Sequence, residues 1–101
     1  MGLDVRIEGE NGTSVAGVSD NDGALSRALT SLVTPNQPLL SGIDIYMDTL
    51  SNRKQVAEVI KELNQIAPSA SADEFRRIQE IKAMVAEWMV DSHVYLRFVG
   101  D

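Results

Sequence analysis

Residues 3–18 read LDVRIEGENGTSVAGV, and this pattern predicts a β-hairpin. Apolar and charged residues alternate from Leu3 to Glu8, as in a strand with one face against a core. Asn11 and Gly12 follow, and both residue types tolerate the positive φ angles of a two-residue type I′ turn. Such a turn sets a register with three pairs: Glu10 with Thr13, Ile7 with Ala16 and Val5 with Val18. The turn and the apolar pattern agree, because this register puts the apolar side chains of both strands on one face.

After the hairpin, the apolar residues follow the spacing of a helix. Residues 19–23 read SDNDG, in which Ser19 or Asp20 is the predicted N-cap. The apolar residues that follow are three and four positions apart: Leu25, Ala28, Leu29, Leu32 and Val33. Residues 34–38, TPNQP, end this helix because each proline excludes the α conformation from the residue before it. Residues 43–48, IDIYMD, alternate again and predict a third strand.

The second half of the chain predicts two helices and a last strand. The first helix runs from Ser51 to the residue before Pro68. The second begins at a capping box, in which Ser71 caps the helix and Glu74 reaches back. Its apolar stripe is expected to face the core, with Trp88 partly buried: Phe75, Ile78, Ile81, Val85, Trp88 and Met89. An i,i+4 ion pair is expected between Arg76 and Glu80. Residues 93–99, HVYLRFV, alternate and predict the fourth strand.

These elements follow one another as ββαβααβ in a single domain, residues 1–101. Because each strand has one apolar face and each helix one apolar stripe, we expect an α+β fold. Its architecture would be a two-layer sandwich, in which three helices cover one face of a four-stranded, mainly antiparallel sheet. The other face would carry the polar residues of three strands: Asp4, Arg6, Glu8, Asp44, Tyr46, Asp48, His93, Tyr95 and Arg97.

The composition argues against several classes of protein. The 101 residues carry a net charge of −6, which argues against nucleic acid or an anionic membrane as the partner. Cysteine is absent, so the chain has no disulfide and no zinc–thiolate site. No apolar run approaches the length of a membrane span, and the first ten residues lack the pattern of a signal peptide. We therefore expect a cytoplasmic protein without a cofactor.

Little in the sequence favours catalysis or metal binding. His93 is the single histidine, and no nucleophile motif accompanies it. Residues 20–23, DNDG, resemble part of a calcium loop, but alignment on Gly23 places Leu29 where a bidentate glutamate belongs. Helix capping explains this segment more simply. We expect no metal site, and enzymatic activity is not the favoured interpretation.

The acidic residues are concentrated in the first half of the chain. Residues 1–50 carry seven acids and two bases, whereas residues 51–101 carry eight acids and seven bases. Acids, tyrosine and arginine on a rigid sheet are typical of a protein-binding surface, and an acidic face steers basic partners. We expect the partner-binding residues to be Asp4, Glu8, Asp44, Tyr46, Tyr95 and Arg97. The alternative is a face whose charge only maintains solubility.

A second candidate site lies at the strand-to-helix corner formed by residues 44–53. It would combine Asp44 with Asp48, Asn52, Arg53 and His93, because loops after strands commonly hold binding or catalytic residues. Arg53 and Lys54 oppose the helix dipole in the first turn of the helix. Either Asp48 compensates them by an ion pair, which we favour, or they meet an anionic ligand.

Three stretches of the chain resemble a family of short, uncharacterised bacterial proteins: LDVRIEGENG, IDIYMDTLSNRKQV and HVYLRFVGD. Members often read PYGDT and FNR where this chain has YMDT at 46–49 and SNR at 51–53, so Met47 and Ser51 depart from the pattern. The resemblance covers nearly the whole chain and implies a bacterial source but no activity. In size and acidity the family is also similar to bacterial immunity proteins, which neutralise a toxin by binding it.

The leading hypothesis is a small, acidic, non-enzymatic protein-binding domain, in its most specific form an immunity protein that occludes a basic toxin. The first alternative is a small-ligand or enzymatic site at the corner 44–53. The second is a structural homodimer, paired through an exposed strand edge or through the open face of the sheet.

Overall fold

The strands and helices follow the predicted order, with one short helix added. A computed structural model describes residues 3–44, 46–89 and 93–100. In chain order the elements are β1 (Asp4–Gly9), β2 (Ser14–Val18), α1 (Ala24–Ser31), α2 (Pro38–Ser41), β3 (Thr49–Ser51), α3 (Arg53–Ile66), α4 (Ala72–Trp88) and β4 (Val94–Val99). A 3₁₀ turn, Ala67–Ser69, joins α3 to α4. The α+β fold class is confirmed, and α2 is the helix that the sequence did not predict.

The sheet is antiparallel throughout, and its strand order is β2-β1-β4-β3. The first and last strands of the chain therefore lie side by side at its centre. Val5 pairs with Phe98 and Ile7 with Leu96, and all four side chains are buried on one face. This face forms the floor of the core.

The strands of the hairpin keep the predicted register. Val5 pairs with Val18 and Ile7 with Ala16. A one-residue slip would turn Val5 and Ile7 away from the core, so burial of these side chains enforces the register.

The hairpin turn differs from the prediction. Gly9 N donates to Thr13 O at 2.9 Å and Gly12 N donates to Gly9 O at 2.9 Å, so the loop has three residues and the predicted pair of Glu10 with Thr13 is wrong. Gly12 has a φ of 82°, and among the described residues no non-glycine has positive φ, which rules out a type I′ turn. A β-bulge that leaves Val15 without a partner compensates for the shift.

Helices α3 and α4 pack on the sheet, whereas α1 packs against α4 and α2 against α3. The stripe on α4 is confirmed at Ile78 and Ile81, and buried Met84 extends it. Phe75 is wrongly predicted as a core residue, because it lies in the first turn of α4 and is 46% exposed. Trp88 was expected to be partly buried, but it is 42% exposed, at the last residue of α4. Helices α1, α2 and α3 contribute further large core side chains: Leu25, Leu29, Leu40, Val56, Val59, Leu63 and Ile66.

Two of the helix starts are capping boxes. Ser71 and Glu74 form the predicted one: Glu74 N donates to Ser71 Oγ, and Ser71 N donates to Glu74 Oε1. Asn52 and Gln55 form the other, so α3 begins at Arg53 instead of Ser51. The predicted pair of Arg76 with Glu80 does not form.

Ion pairs on α4 follow i,i+3 spacing instead. Arg76 lies 3.0 Å from Asp73, and Arg77 lies 2.6 Å from Glu80. Arg76 is therefore paired within the first turns of α4, whereas Arg77 faces the start of α1.

The start of α1 is capped from a distance. Gly23, with a φ of 70°, occupies the N-cap position, where Ser19 or Asp20 was expected. The Asp20 carboxylate nevertheless accepts hydrogen bonds from Leu25 N at 2.8 Å and Ser26 N at 3.2 Å. The tight turn at Gly23 lets a carboxylate from three residues earlier reach the helix.

The third strand lies later in the chain than predicted. Residues 43, 44 and 46–48 form a turn rather than a strand, and Ile45 lies outside the described residues. Asp44 Oδ1 accepts a hydrogen bond from Tyr46 N at 2.8 Å, and Asp44 O accepts one from Met47 N at 3.3 Å. This local bonding competes with strand formation. The strand β3 begins only at Thr49.

Candidate functional site

No helix of the described residues packs on one face of the sheet, and we call it the outer face. It is formed by residues that alternate with core residues on β1, β3 and β4: Asp4, Arg6, Glu8, Leu50, Tyr95 and Arg97. Arg97 lies between Arg6 on β1 and Leu50 on β3, and Glu8 lies directly opposite Tyr95. A charged centre is thus flanked by a tyrosine and by a leucine that is 51% exposed.

Arg97 connects the central strands to the segment before β3. Its Nε donates to Glu8 Oε1 at 2.8 Å, and its Nη1 donates to Asp48 Oδ2 at 3.0 Å. Like charges directly opposite each other destabilise a sheet, and the two carboxylates offset the repulsion between Arg97 and Arg6. Hydrogen bonding to Asp48, and then to Glu8, raises the pKa of Arg97 above its ordinary value. The guanidinium is therefore charged at any physiological pH.

A depression of about 430 Å³ opens beside Arg97, and we call it the hairpin depression. The hairpin loop and three strands line it: Glu8, Gly9, Glu10, Gly12, Leu50, Tyr95 and Arg97. Glu10 is exposed and lies 2.8 Å from Nδ1 of His93, which is also exposed. The depression thus combines carboxylates, an aromatic ring and an apolar wall.

The predicted partner-binding residues divide between two places. Four of the six lie on the outer face, and Asp4 also accepts a hydrogen bond from Asp20 N through Oδ1. Asp44 and Tyr46 do not lie there, because the turn described above replaces the expected strand. They line a separate depression of about 460 Å³ beside α1 and α2.

The residues of the predicted ligand corner do not assemble. Asn52 uses its side chain to cap α3, and Asp48 pairs with Arg97. The expected ion pair between Asp48 and Arg53 is therefore wrong, and within the described part of the chain Arg53 makes no ion pair. His93 lies at the hairpin end of β4, beside Glu10.

Two buried acids accept hydrogen bonds from the start of a helix to which they do not belong. Asp20 is described above, and Glu62 of α3 accepts hydrogen bonds from Leu39 N and Leu40 N at the start of α2. Among residues 3–44, 46–89 and 93–100, no cluster of three or more His, Cys, Asp or Glu side chains is arranged to hold a metal ion.

An ion-pair cluster surrounds Arg77. The guanidinium lies 3.3 Å from Asp20 and 2.9 Å from Asp22, in the segment that resembles a calcium loop. Nε contacts Asp20 as an ion pair but makes no hydrogen bond with the described residues. Burial lowers the pKa of Arg77, but the hydrogen bond to Asp22 and the charges of Glu80, Asp22 and Asp20 outweigh it and raise the pKa. The acids of this segment therefore join α1 to α4.

Sequence reasoning missed two residues of the hairpin depression. Leu50 was not considered, because the third strand was predicted to end at 48. Glu10 was assigned to the turn register and not to a surface. A signal for Leu50 is present in the alternation Thr49, Leu50, Ser51, in which a lone apolar residue stands between two small polar ones.

Comparisons with protein-family models, with curated proteins and with solved structures find no significant match to this chain. In the parts of the chain that the structure describes, no helix is long and apolar enough to cross a membrane.

Proposed function

We propose that this chain is a protein-binding domain without enzymatic activity, and that it binds a basic partner protein through the outer face. The observation that supports this is an ordered ion-pair network around Arg97 on a sheet face that no helix covers. Tyrosine and arginine are enriched at the energetic centres of protein interfaces. Tyr95 and Arg97 provide this pair beside a depression.

The charge of this surface favours a basic partner. Four acids on or next to the outer face stand against Arg6 and Arg97: Asp4, Glu8, Glu10 and Asp48. Both oppositely charged partners of Arg97 come from this group, so the guanidinium presents no net positive charge to a ligand. An acidic surface accelerates association with a basic protein, most strongly at low salt.

The most specific form of this proposal is an immunity protein that neutralises a basic toxin by covering it. It is supported by the resemblance in size and acidity to bacterial immunity proteins and by the surface just described. A bacterial source and a cytoplasmic location belong to the same proposal.

The alternatives receive less support. Asn52 and Asp48 are engaged in capping and in the Arg97 pair, which argues against a ligand site at the corner 44–53. A homodimer through the outer face would bring two acidic surfaces together, and this repulsion argues against it.

The test is a comparison of two matched variants of the 101-residue chain. Glu10→Lys changes the charge beside the hairpin depression, whereas Glu58→Lys makes the same change at an exposed position of α3. Tagged wild type and both variants are expressed in the bacterium that encodes the chain, and the proteins that co-purify at low and high salt are quantified by mass spectrometry. The association rate of any candidate is then measured with purified proteins.

We expect one basic protein that binds wild type and Glu58→Lys alike and is lost at high salt. Glu10→Lys should slow its association about tenfold. Equal behaviour of the two variants, or recovery of this chain alone at both salt concentrations, would contradict the proposal. Sedimentation of the purified chain as a dimer would favour the homodimer instead.

A further inference from the structure

We propose that the hairpin depression receives a lysine or arginine side chain of the partner protein, an inference that rests on the protein-binding function proposed above. The depression has an anionic end, at Glu8 and Glu10, and a less polar wall, at Leu50 and Tyr95. A long side chain with an apolar stem and a terminal cation matches both parts.

Glu8 supplies the strongest indication. Its side chain is nine-tenths buried, which is unusual for a glutamate, yet it lines the depression. Oε1 accepts the hydrogen bond from Arg97. Oε2 is not a buried, unsatisfied atom and reaches the surface of the depression. A cation entering the depression would form a charge-assisted hydrogen bond with it.

Glu10 adds a second carboxylate at the rim. It contacts His93 through Oε1, and a carboxylate has room for further donors on both oxygens. Glu8 and Glu10 carry two negative charges, whereas Arg97 carries one positive charge, which Asp48 already compensates from the other side. The depression is therefore electrostatically suited to a cation and not to an anion.

Tyr95 and Leu50 explain why a long cationic side chain suits the hairpin depression. An aromatic ring attracts a cation to its face, with arginine the more frequent partner. Leu50, exposed on the edge strand β3, gives the methylene stem an apolar contact. A volume of about 430 Å³ accommodates one such side chain with little rearrangement of the strands.

The experiment uses small probes, so that it does not depend on the partner. The ¹⁵N-labelled 101-residue chain is titrated at constant ionic strength with Nα-acetyl-lysine amide, Nα-acetyl-arginine amide and the neutral Nα-acetyl-norleucine amide. The two cations should shift the amide signals of Gly9, Gly12 and Leu50 in a saturable manner, with Kd values of about 1–20 mM. Norleucine amide should bind at least about tenfold more weakly.

Matched variants complete the design. Glu10→Gln should weaken cation binding about threefold, whereas Glu58→Gln should leave it unchanged. If no cation shifts these amides at about 50 mM, or if norleucine amide binds equally well, the inference is overturned. The proposed function would survive that result if a purified partner still distinguished Glu10→Lys from Glu58→Lys. Conversely, if the cations bind but a purified partner ignores Glu10→Lys, the depression is a cation site, and both the proposed function and the assignment of its occupant to the partner are overturned.

Discussion

At the level of single residues, two of the buried acids, Asp20 and Glu62, act as distant helix caps. The Asp20 carboxylate is fully enclosed and accepts hydrogen bonds from Leu3 N as well as from Leu25 N and Ser26 N at the start of α1. Unpaired N–H groups at a helix start favour a negative charge. Arg77 supplies the opposite charge. Asp20 therefore ties β1, α1 and α4 together.

Replacing Asp20 by asparagine tests this role. The amide keeps one acceptor but removes the charge, and it leaves Arg77 beside a neutral group. We expect Asp20→Asn to lower the free energy of unfolding by about 2–3 kcal/mol, measured by urea denaturation. Asp73→Asn is the matched control, because Asp73 and its partner Arg76 are exposed, and it should change stability by less than about 0.5 kcal/mol. Equal effects would contradict the buried-cap interpretation.

At the level of elements, α3 starts where Asn52 caps it. Gln55 N donates to Asn52 Oδ1 at 3.0 Å, and Asn52 N donates to Gln55 Oε1 at 2.9 Å. The reciprocal bonds place the helix start directly after β3, so the chain turns from the sheet into α3 without a loop.

Asn52→Ala should therefore destabilise the protein by about 1 kcal/mol, because the N-cap acceptor is lost. Asn52→Asp should retain near-native stability, since aspartate caps equally well and its charge suits the dipole. Chemical denaturation of both variants distinguishes capping from other roles. A similar loss in both would mean that the amide group itself matters.

The turn before β3 packs closely on the end of β4. A Cβ atom at Gly100 would overlap the backbone of Met47, which lies opposite Gly100 when the β3–β4 register is extended by two residues. Gly42 is a useful contrast, because a Cβ there would meet only ordinary contacts with the carbonyl oxygens of Leu39 and Pro38.

We expect Gly100→Ala to lower the melting temperature and to cost about 1–3 kcal/mol, because backbone has to move. Gly42→Ala should be close to neutral, since it adds no strain. If thermal unfolding shows no difference between the two variants, the close approach of Met47 to Gly100 is wrong.

At the level of the whole molecule, ion pairs join distant segments of the chain at two separate places, one on the sheet and one beside the helices. Arg97 joins β1, β4 and the segment before β3, and Arg77 joins α4 to the loop before α1. The hydrogen bond from Arg77, and then that from Ala24 N, lowers the pKa of Asp22 below its ordinary value. Stability should therefore depend on pH on the acid side.

The sign of this dependence follows from proton binding. Because Asp22 has a lower pKa in the folded protein, the unfolded chain takes up its proton first, and stability falls as pH falls below about 4. We expect Asp22→Asn to flatten the plot of unfolding free energy against pH in this range. Arg76→Gln, which leaves the contact of Arg77 with Asp22 in place, should preserve the slope. A slope that Asp22→Asn leaves unchanged would contradict this assignment.

Local patterns predicted much of the fold. The Ser71 capping box and the placement of Ile78 and Ile81 on the core side of α4 depend on neighbours within one or two helical turns, and these predictions are confirmed. The alternating pattern of residues 43–48 wrongly predicted a strand. The pattern takes no account of the hydrogen bond that the Asp44 side chain accepts from the backbone N–H of Tyr46. The helix α2 has four residues, too few for a helical repeat, and it is stabilised by Glu62 from α3.

The hairpin shows why a correct register can accompany a wrong turn. Val5 and Ile7 reach the core in only one register, so their apolar character is sufficient to predict the pairing. The turn type depends on weaker local preferences, and the loop is one residue longer than predicted. The bulge at Val15 restores the pairing of Ile7 with Ala16. Of the candidate site, the sequence likewise predicted the outward faces of β1 and β4 but not the contribution of Leu50 and Glu10.

Amino-acid order alone was enough for the hairpin pairing, the capping box of α4 and the α+β class, because these depend on short-range periodicity and on apolar faces that must be buried. The strand order and the site depended on folding over long distances in the chain. Glu8 and Asp48 are 89 and 49 residues from Arg97, and only the β2-β1-β4-β3 arrangement brings all three together. No local pattern carries that information, since a charged side chain on a strand is compatible with many partners until the neighbouring strands are known.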